Sequence, residues 1–469
     1  MAPQIASVVF ALGICVLFWL DRDQEARTSK ALWIPVLWVL INGSRPVSVW
    51  LQVGPTMDSP EKYLNGSPLD ALVWGILLAA GLIVLVWRGR QVGTLMRANG
   101  PILLFFAYCA LSVLWSDYPF VAFKRWTKAV GDVVMVLIVL TDPDRSSAIK
   151  RLLARTGFVL VPLSVLFIKY YPDLGRSYNP WTWAPMYSGV AIGKNMLGMV
   201  CLVFGLGSAW RFVAAYSGDK GSQRTRQLIA QGVLFGMATW ILSIADSMTS
   251  LSCFILGTGL IVMTSLPGLA GKPAAVHVLV AALVGVAVGA LFLDPGGNLV
   301  GSLGRDATLT GRTTIWTAVL GLAGNPLVGT GFESFWLGDR LQRVWDLTAQ
   351  GIQEAHNGYL EVYLNLGWVG ITLLAALIVA GYRNVLAVFR RDPDAGRIRL
   401  AFLVVGVIYS LTEAGFRMMA PVWTFFLLAT IAVPEPAVLE SPTQLDMDIA
   451  YNFAECESEV DRALGVGFR

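Results

Sequence analysis

The chain has 469 residues, 55% of them hydrophobic and only 14% charged. Soluble domains carry about 25% charged residues, so the composition excludes a soluble enzyme and describes a chain that lies largely in lipid. The formal net charge of +4 gives no case for a nucleic-acid partner. Where the charges fall is more informative than their sum.

The apolar residues fall in blocks about long enough to cross a ~30 Å hydrocarbon layer as helices. A helix is the form a backbone takes where water cannot satisfy it. In chain order the blocks are Pro3–Leu20, Ala31–Val49, Leu69–Trp87, Pro101–Trp115, Thr127–Thr141, Leu152–Ile168 and Tyr187–Phe212. Leu228–Ile244, Thr249–Leu266, Ala275–Leu293, Tyr359–Tyr382, Leu400–Leu411 and Met418–Val433 follow. The expected fold class is an all-α polytopic membrane protein with about 12–13 transmembrane helices, the lower count holding if a short block is re-entrant. The alternation of a membrane β-barrel is absent. The first block lacks a basic flank and a small-residue cleavage site, so it reads as a helix and not as a removed signal. No cysteine spacing indicates a disulfide framework or a metal site.

Basic loops mark the cytoplasmic side. They contain Arg88, Arg90 and Arg97; Arg145, Lys150, Arg151 and Arg155; Arg211, Lys220, Arg224 and Arg226; and Arg383, Arg390, Arg391, Arg397 and Arg399. Alternation places 52–68, 169–194 and 294–358 outside. Four parts are expected: membrane helices in 1–293, a large periplasmic loop at 294–358, membrane helices in 359–433, and an acidic cytoplasmic tail at 434–469 whose composition favours disorder. Within the loop, "TLTGRTTIWTAVLGLAGNP" reads as a short helix, with Thr310 as N-cap and Arg312, Ile315, Trp316 and Val319 on one face. "DRLQRVWDLTAQ" reads as a second, amphipathic helix. A loop of this length with its own helices is usually functional.

The chain has two histidines. His277 opens an apolar helix and reads as structural. His356 stands in "QEAHNGYLEVYLNLGWVG", where a polar run turns into an apolar helix. Asn357 can cap that helix, leaving His356 free to be an interfacial anchor or a general base. Cations on the same side are Arg45, Lys124, Arg125, Lys194, Arg305, Arg312 and Arg417. Acidic partners there are few: Asp117, Asp132, Asp246, Asp306, Glu333 and Glu413. Some of these cations snorkel to the interface; an excess of them suits an anionic ligand. Arg312, at a helix start, is best placed to meet a phosphate. Two "DPD" turns, Asp142–Asp144 and Asp392–Asp394, read as loop punctuation, and "GVAVG" as a small-residue packing motif.

"GRTTIW", "NPLVGTGFESFW" and "AHNGYLEVYLNLGWVG" together resemble the signature of the O-antigen ligase/Wzy-type polysaccharide polymerase superfamily. "LWIPVLWVLINGSRPVSVWL", "LSVLWSDYPFVAFKRW" and "GVAIGKNMLGMV" are similar to its exopolysaccharide, succinoglycan-type branch. The likeness runs from about Ala31 to Val433. It implies a GT-C-like helical fold and a periplasmic, inverting glycosyltransferase of the inner membrane that needs neither metal nor other cofactor. Its donor would be an undecaprenyl-diphosphate-linked oligosaccharide. It would extend a growing polysaccharide beside membrane lipid, a flippase and a chain-length-regulating co-polymerase.

By the same resemblance His356 and Arg312 are catalytic. Arg45, Lys124, Arg125, Lys194, Asn195, Arg305, Asn357, Tyr359, Glu361 and Arg417 are the residues expected to bind substrate. "ADSMTSLS" departs from the Ser-Arg context of many ligases at Ser247–Met248, which favours the polymerase branch. Transfer of polysaccharide onto a lipid A core is the alternative within the family. A transporter or flippase of anionic or lipid-linked sugars is the alternative outside it. In the expected mechanism His356 takes the acceptor's proton while cations hold the leaving diphosphate. Trp316, Phe332, Trp336 and Trp345 either stack on sugars or pack the loop.

Overall fold

The computed structural model describes residues 2–23, 27–54, 64, 66–178, 183–218, 220–268, 272–292, 312–348 and 351–434. The acidic tail and Arg305 lie outside the described residues, as does the proposed cap Thr310. Each of the thirteen apolar blocks contains a helix, and the first has the expected limits, Pro3–Leu20; Tyr187–Phe212 turns helical only at Lys194, and Ala31–Val49 is broken between Asn42 and Val47. The protein is a multi-pass, all-α membrane protein. Its only named strands among the described residues are a short antiparallel pair, Arg176–Tyr178 against Pro185–Tyr187.

The blocks differ in kind. Among the described residues seven helices are long and apolar enough to cross a membrane alone, or eight if Gly89–Ala98 and Gly100–Trp115, bent by 91°, form one broken span. Lys30–Asn42, Ala274–Gly289 and Pro421–Thr430 are apolar but shorter. Pro119–Leu140 is long enough but carries Lys124, Arg125, Lys128 and Asp132. The expected 12–13 equal crossings thus resolve into full-length spans and shorter helices packed among them.

Two helices form the centre. The apolar windows of Lys194–Ser217 and Arg145–Tyr170 are 83% and 72% buried, against 11% for Pro3–Leu20, which turns its side chains to lipid. Pro421–Thr430 is buried along its whole length. Asp132 fixes the chain just before that helix. It accepts hydrogen bonds from Trp38 Nε1 (2.8 Å), the Met419 N–H (2.8 Å) and Thr424 Oγ1 (3.3 Å). A buried carboxylate with several donors is tolerated where an unpaired one is not. The aspartates of the "DPD" turns do cap helices: Asp144 accepts from the Ser147 N–H and Asp392 from the Ala395 N–H. Among the described residues nothing lies within 4 Å of a Cβ built on Gly285 or Gly289 of "GVAVG", so the expected packing of that motif is not seen there.

The helix expected over Tyr359–Tyr382 has a break. Gly358–Arg391 is interrupted at Gly367, where φ is 63°. The break frees backbone groups, and the loop "NPLVGTGF" takes them. The Thr330 and Gly331 N–H groups donate to the Leu364 and Asn365 carbonyls, while the Trp368 and Val369 N–H groups donate to Pro326 and Leu327. Asn365 Oδ1 accepts from the Ser334 and Phe335 N–H groups. A Cβ on Gly367 would lie 2.3 Å from the Leu327 backbone, and one on Gly329 2.4 Å from that of Asn365. Only glycine permits both the conformation and the approach.

Candidate active site

The loop forms its own small core. Ile315 and Val319 of Arg312–Gly321 pack with Leu341 and Val344 of Gly338–Thr348 and with Phe335, Trp336 and Ala355. The tryptophans belong to this core. Trp316 Nε1 donates to the Ala355 carbonyl at 2.8 Å, Trp345 Nε1 to Ile352 at 2.7 Å and Trp336 Nε1 to Glu361 at 2.8 Å. Phe332 is buried as well. Packing, the second of the two expectations for these rings, is what the structure shows.

That core delivers His356 to the segment between Pro393–Tyr409 and Pro421–Thr430. The Gly358 N–H donates to the Ser410 carbonyl at 2.8 Å, and Asn357 Nδ2 donates to Leu411 at 3.0 Å. Asn357 Oδ1 caps the helix, accepting from the Tyr359 and Leu360 N–H groups. His356 takes φ 49°, Glu333 φ 50° and Met419 φ 60°. Left-handed backbone costs non-glycine residues about 1–2 kcal/mol each, and here the surrounding bonds hold it.

The meeting point is Glu413. Arg312 Nη2 lies 2.7 Å from its Oε1, and His356 Nδ1 lies 3.1 Å from its Oε2. Asn195 Nδ2 donates to the same Oε2 at 3.3 Å. Glu354 Oε1 is also 3.1 Å from His356 Nδ1, and Glu354 Oε2 is 3.5 Å from Arg417 Nη1. Arg417 Nε faces Glu333 Oε2 at 3.8 Å. Two carboxylates therefore flank the imidazole, and an arginine braces each one.

Protonation follows from this arrangement. Burial pushes the His356 imidazolium toward neutrality, but the hydrogen bonds and charges of Glu354 and Glu413 outweigh it and raise the pKa to about 10. Glu354 is likewise driven up by burial and brought below its ordinary value by His356, Arg417 and Arg312. Both neighbouring carboxylates thus favour the protonated, donating form of the His356 imidazole. Glu354, His356 and Glu413 could hold a metal ion by distance. Arg312 and Arg417 already occupy the same carboxylates, which makes this a poor donor set for one.

A cavity of about 630 Å³ opens against these carboxylates. Its polar lining includes Asp70, Glu354, Glu413, Asn195, Lys124, Arg125, Lys128 and Arg417, and its apolar lining Trp38, Ile41, Trp74, Leu78 and Val121. His356 and Arg312 stand one layer behind, joined to the lining through Glu413. Arg125 Nη1 donates to the Glu333 carbonyl at 2.6 Å.

Several expected binding residues have other duties. Arg45 donates to the carbonyls of Ala191, Gly189 and Leu174 and stacks on Trp50; its neighbours Ser44 and Pro46 line the cavity, and Arg45 itself does not. Lys194 pairs with Asp246 at 2.7 Å. Tyr359 Oη donates to the Val407 carbonyl at 3.1 Å, and buried Glu361 receives Trp336 and the Ala355 N–H. Tyr359, Glu361 and Asn357 hold the frame; their side chains are not among the cavity's lining. Reading the sequence for cations and histidine passed over Glu354 and took Glu413 only as a counter-ion. The Glu-x-His spacing in "QEAH" was the available signal for the first.

Fold and site together define a polytopic helical membrane protein with a charged cavity at one end of the bundle and a loop that docks into a broken helix. Residues 232–375 match the model of the O-antigen ligase family, which bears out the resemblance carried by the motifs. The chain is also 28% identical over 309 residues to the exopolysaccharide production protein ExoQ of Rhizobium meliloti (strain 1021), covering 63% of this chain and 67% of the relative. Arg312, Glu333, Glu354 and His356 fall inside the family match. Glu413, Arg417 and the Pro119–Leu140 cations lie outside it.

Proposed function

We propose that this protein is a membrane glycosyltransferase that polymerises lipid-diphosphate-linked oligosaccharide repeat units into exopolysaccharide at the periplasmic face of the inner membrane. The observation that carries this reading is the convergence of Arg312 and His356 on the two oxygens of Glu413, at the wall of a cavity lined by both cations and apolar side chains. A diphosphate suits the cations, its lipid suits Trp74 and Leu78 on the lipid-facing Pro68–Trp87 helix, and its sugar lies against the carboxylates. The name of the relative, an exopolysaccharide production protein, supports exopolysaccharide as the product.

In this mechanism the acceptor hydroxyl attacks the anomeric carbon on the face opposite the diphosphate. The new C–O bond forms as the bond to the diphosphate oxygen breaks, inverting the centre. Arg417, Arg125, Lys124 and Lys128 hold the charge of the leaving lipid diphosphate, so no acid is needed for it. The hydroxyl proton passes to Glu354 or Glu413, with His356 as the fixed cation that orients both carboxylates. Proton acceptance of this kind contributes ~10²–10⁴-fold. A flippase supplying the donor and a regulator of chain length are the partners this role requires.

The test is His356→Ala and Arg312→Gln in a deletion strain, with polymer length read on a gel and protein level read by immunoblot. Both variants should stay in the membrane and lose long polymer. Normal polymer from His356→Ala would refute the site. Purified protein with lipid-linked repeat units and no ion gradient separates the classes: chain growth means polymerase, growth only onto a lipid A core means ligase, and movement without growth means transporter.

A further inference from the structure

A second cavity, of about 850 Å³, lies at the other end of the bundle. The Lys194–Ser217 helix joins the two. Asn195 at its start reaches Glu413, and Arg211, sixteen residues on, lines the second cavity. At 1.5 Å per residue the two positions are about 24 Å apart.

Its lining brings together six cations: Arg22, Lys150, Arg151, Arg155, Arg211 and Arg224. Two carboxylates, Asp21 and Asp23, face them among the described residues. Asp21 is already engaged, by Arg211 at 2.7 Å and by Gln231 Nε2 at 2.8 Å. Arg155 lies 4.3 Å from the centre of the Trp33 ring, which fixes the plane of its guanidinium. Its Nη1 is enclosed and has no hydrogen-bond partner among the described residues. The cations outnumber the carboxylates in the lining, which favours an anionic ligand. Phosphate oxygens fit best, because several of them can meet several guanidinium and ammonium donors at once.

Basic loops at a membrane surface attract anionic lipid in general. This arrangement differs from such a loop: its cations come from three helices and from Arg22, just past the end of Pro3–Leu20, and line one cavity. We propose that this second cavity is a binding site for a phosphate-bearing anion, either an anionic lipid headgroup or a soluble phosphate ester, independent of the glycosyl-transfer site.

Native mass spectrometry of the full-length protein in detergent tests it, with phosphatidylglycerol, phosphatidylcholine and inorganic diphosphate as probes. The wild type should bind phosphatidylglycerol or diphosphate at least tenfold more tightly than phosphatidylcholine. Lys150→Gln/Arg155→Gln should lower that affinity at least tenfold, and Lys150→Gln alone by less, which guards against misfolding of the double variant. Arg390→Gln, on a different basic helix end, and His356→Ala should bind as the wild type does. Retention of phosphatidylglycerol that diphosphate cannot displace assigns the site to lipid; diphosphate binding that displaces the lipid assigns it to a soluble ester. Equal retention of both lipids without diphosphate binding, or an equal loss in Arg390→Gln, overturns the proposal.

Discussion

The two cavities at opposite ends of the bundle are both rich in cations and differ in what faces those cations. At the His356 end Lys124, Arg125, Lys128 and Arg417 share the lining with Asp70, Glu354 and Glu413. At the other end six cations share it with Asp21 and Asp23. The near-balance at the first end keeps proton-accepting carboxylates beside an imidazolium and leaves cations for an anion. The excess of cations at the second end is what suits it to the proposed anion. Cation count alone, which drew attention to the first region in the sequence, does not separate the two; the placement of acids does.

The largest effect should come from Glu413→Gln, which keeps the shape and withdraws the charge that Arg312 and His356 share. Leaving a buried charge unpaired costs about 3–5 kcal/mol. We therefore expect a marked fall in the thermal midpoint and at least a hundredfold loss of polymer formation. Adding Arg312→Gln should restore stability without restoring activity. Stability unchanged in the single variant would mean that the pairing does not hold the site.

Gly367→Ala should rank next. The added carbon meets the Leu327 backbone at 2.3 Å, so the loop must leave the broken helix and take Glu333 with it. Protease sensitivity between 324 and 348 should rise as activity falls; an unchanged cleavage pattern would count against the docking role of that break.

A smaller effect should appear with pH. The His356 pKa is raised from its ordinary 6.5 to about 10. Because the folded value lies above the unfolded one, the stabilisation is complete below about 6.5 and is lost as pH rises through about 10. The thermal midpoint of the wild type should thus fall more steeply between pH 7 and 10 than that of His356→Gln. Parallel curves would show that the imidazole is not held as a cation.

The smallest effects should come from Arg45→Gln and Lys194→Gln. Arg45 serves backbone carbonyls outside the cavity, and the Lys194–Asp246 pair is largely open to solvent, with Asp246 71% exposed. Such pairs contribute about 0–1 kcal/mol. Polymer formation should stay within a few-fold of wild type, and a hundredfold loss in either would redraw the boundary of the site.

The helices were legible because an apolar block is a local property. Pro3–Leu20 could be read to the residue, and so could the loop helix face bearing Ile315 and Val319. The break at Gly367 was not, since "NLGWVG" shows only a glycine inside an apolar run. Its reason is a loop about forty residues earlier that needs free backbone groups. His356 and Arg312 were legible as a candidate base and a candidate phosphate ligand, and their catalytic role came from the resemblance, but neither touches the other. Glu413 joins them from 57 and 101 positions away, and no spacing rule reaches so far. The same distance hid the duties of Arg45, Tyr359 and Glu361, whose partners come from other elements. A charged residue in an apolar chain invites a functional reading until its partner is seen.

The account turns on the carboxylate–imidazolium unit as the acceptor of the transferred proton. The most direct measurement is chain growth by the purified protein on lipid-diphosphate repeat units, comparing wild type with Glu354→Gln, Glu413→Gln and His356→Gln. The account predicts binding of the donor by all four and chain growth only by the wild type, with each variant reduced at least a hundredfold. Growth at the wild-type rate by both glutamate variants would contradict it.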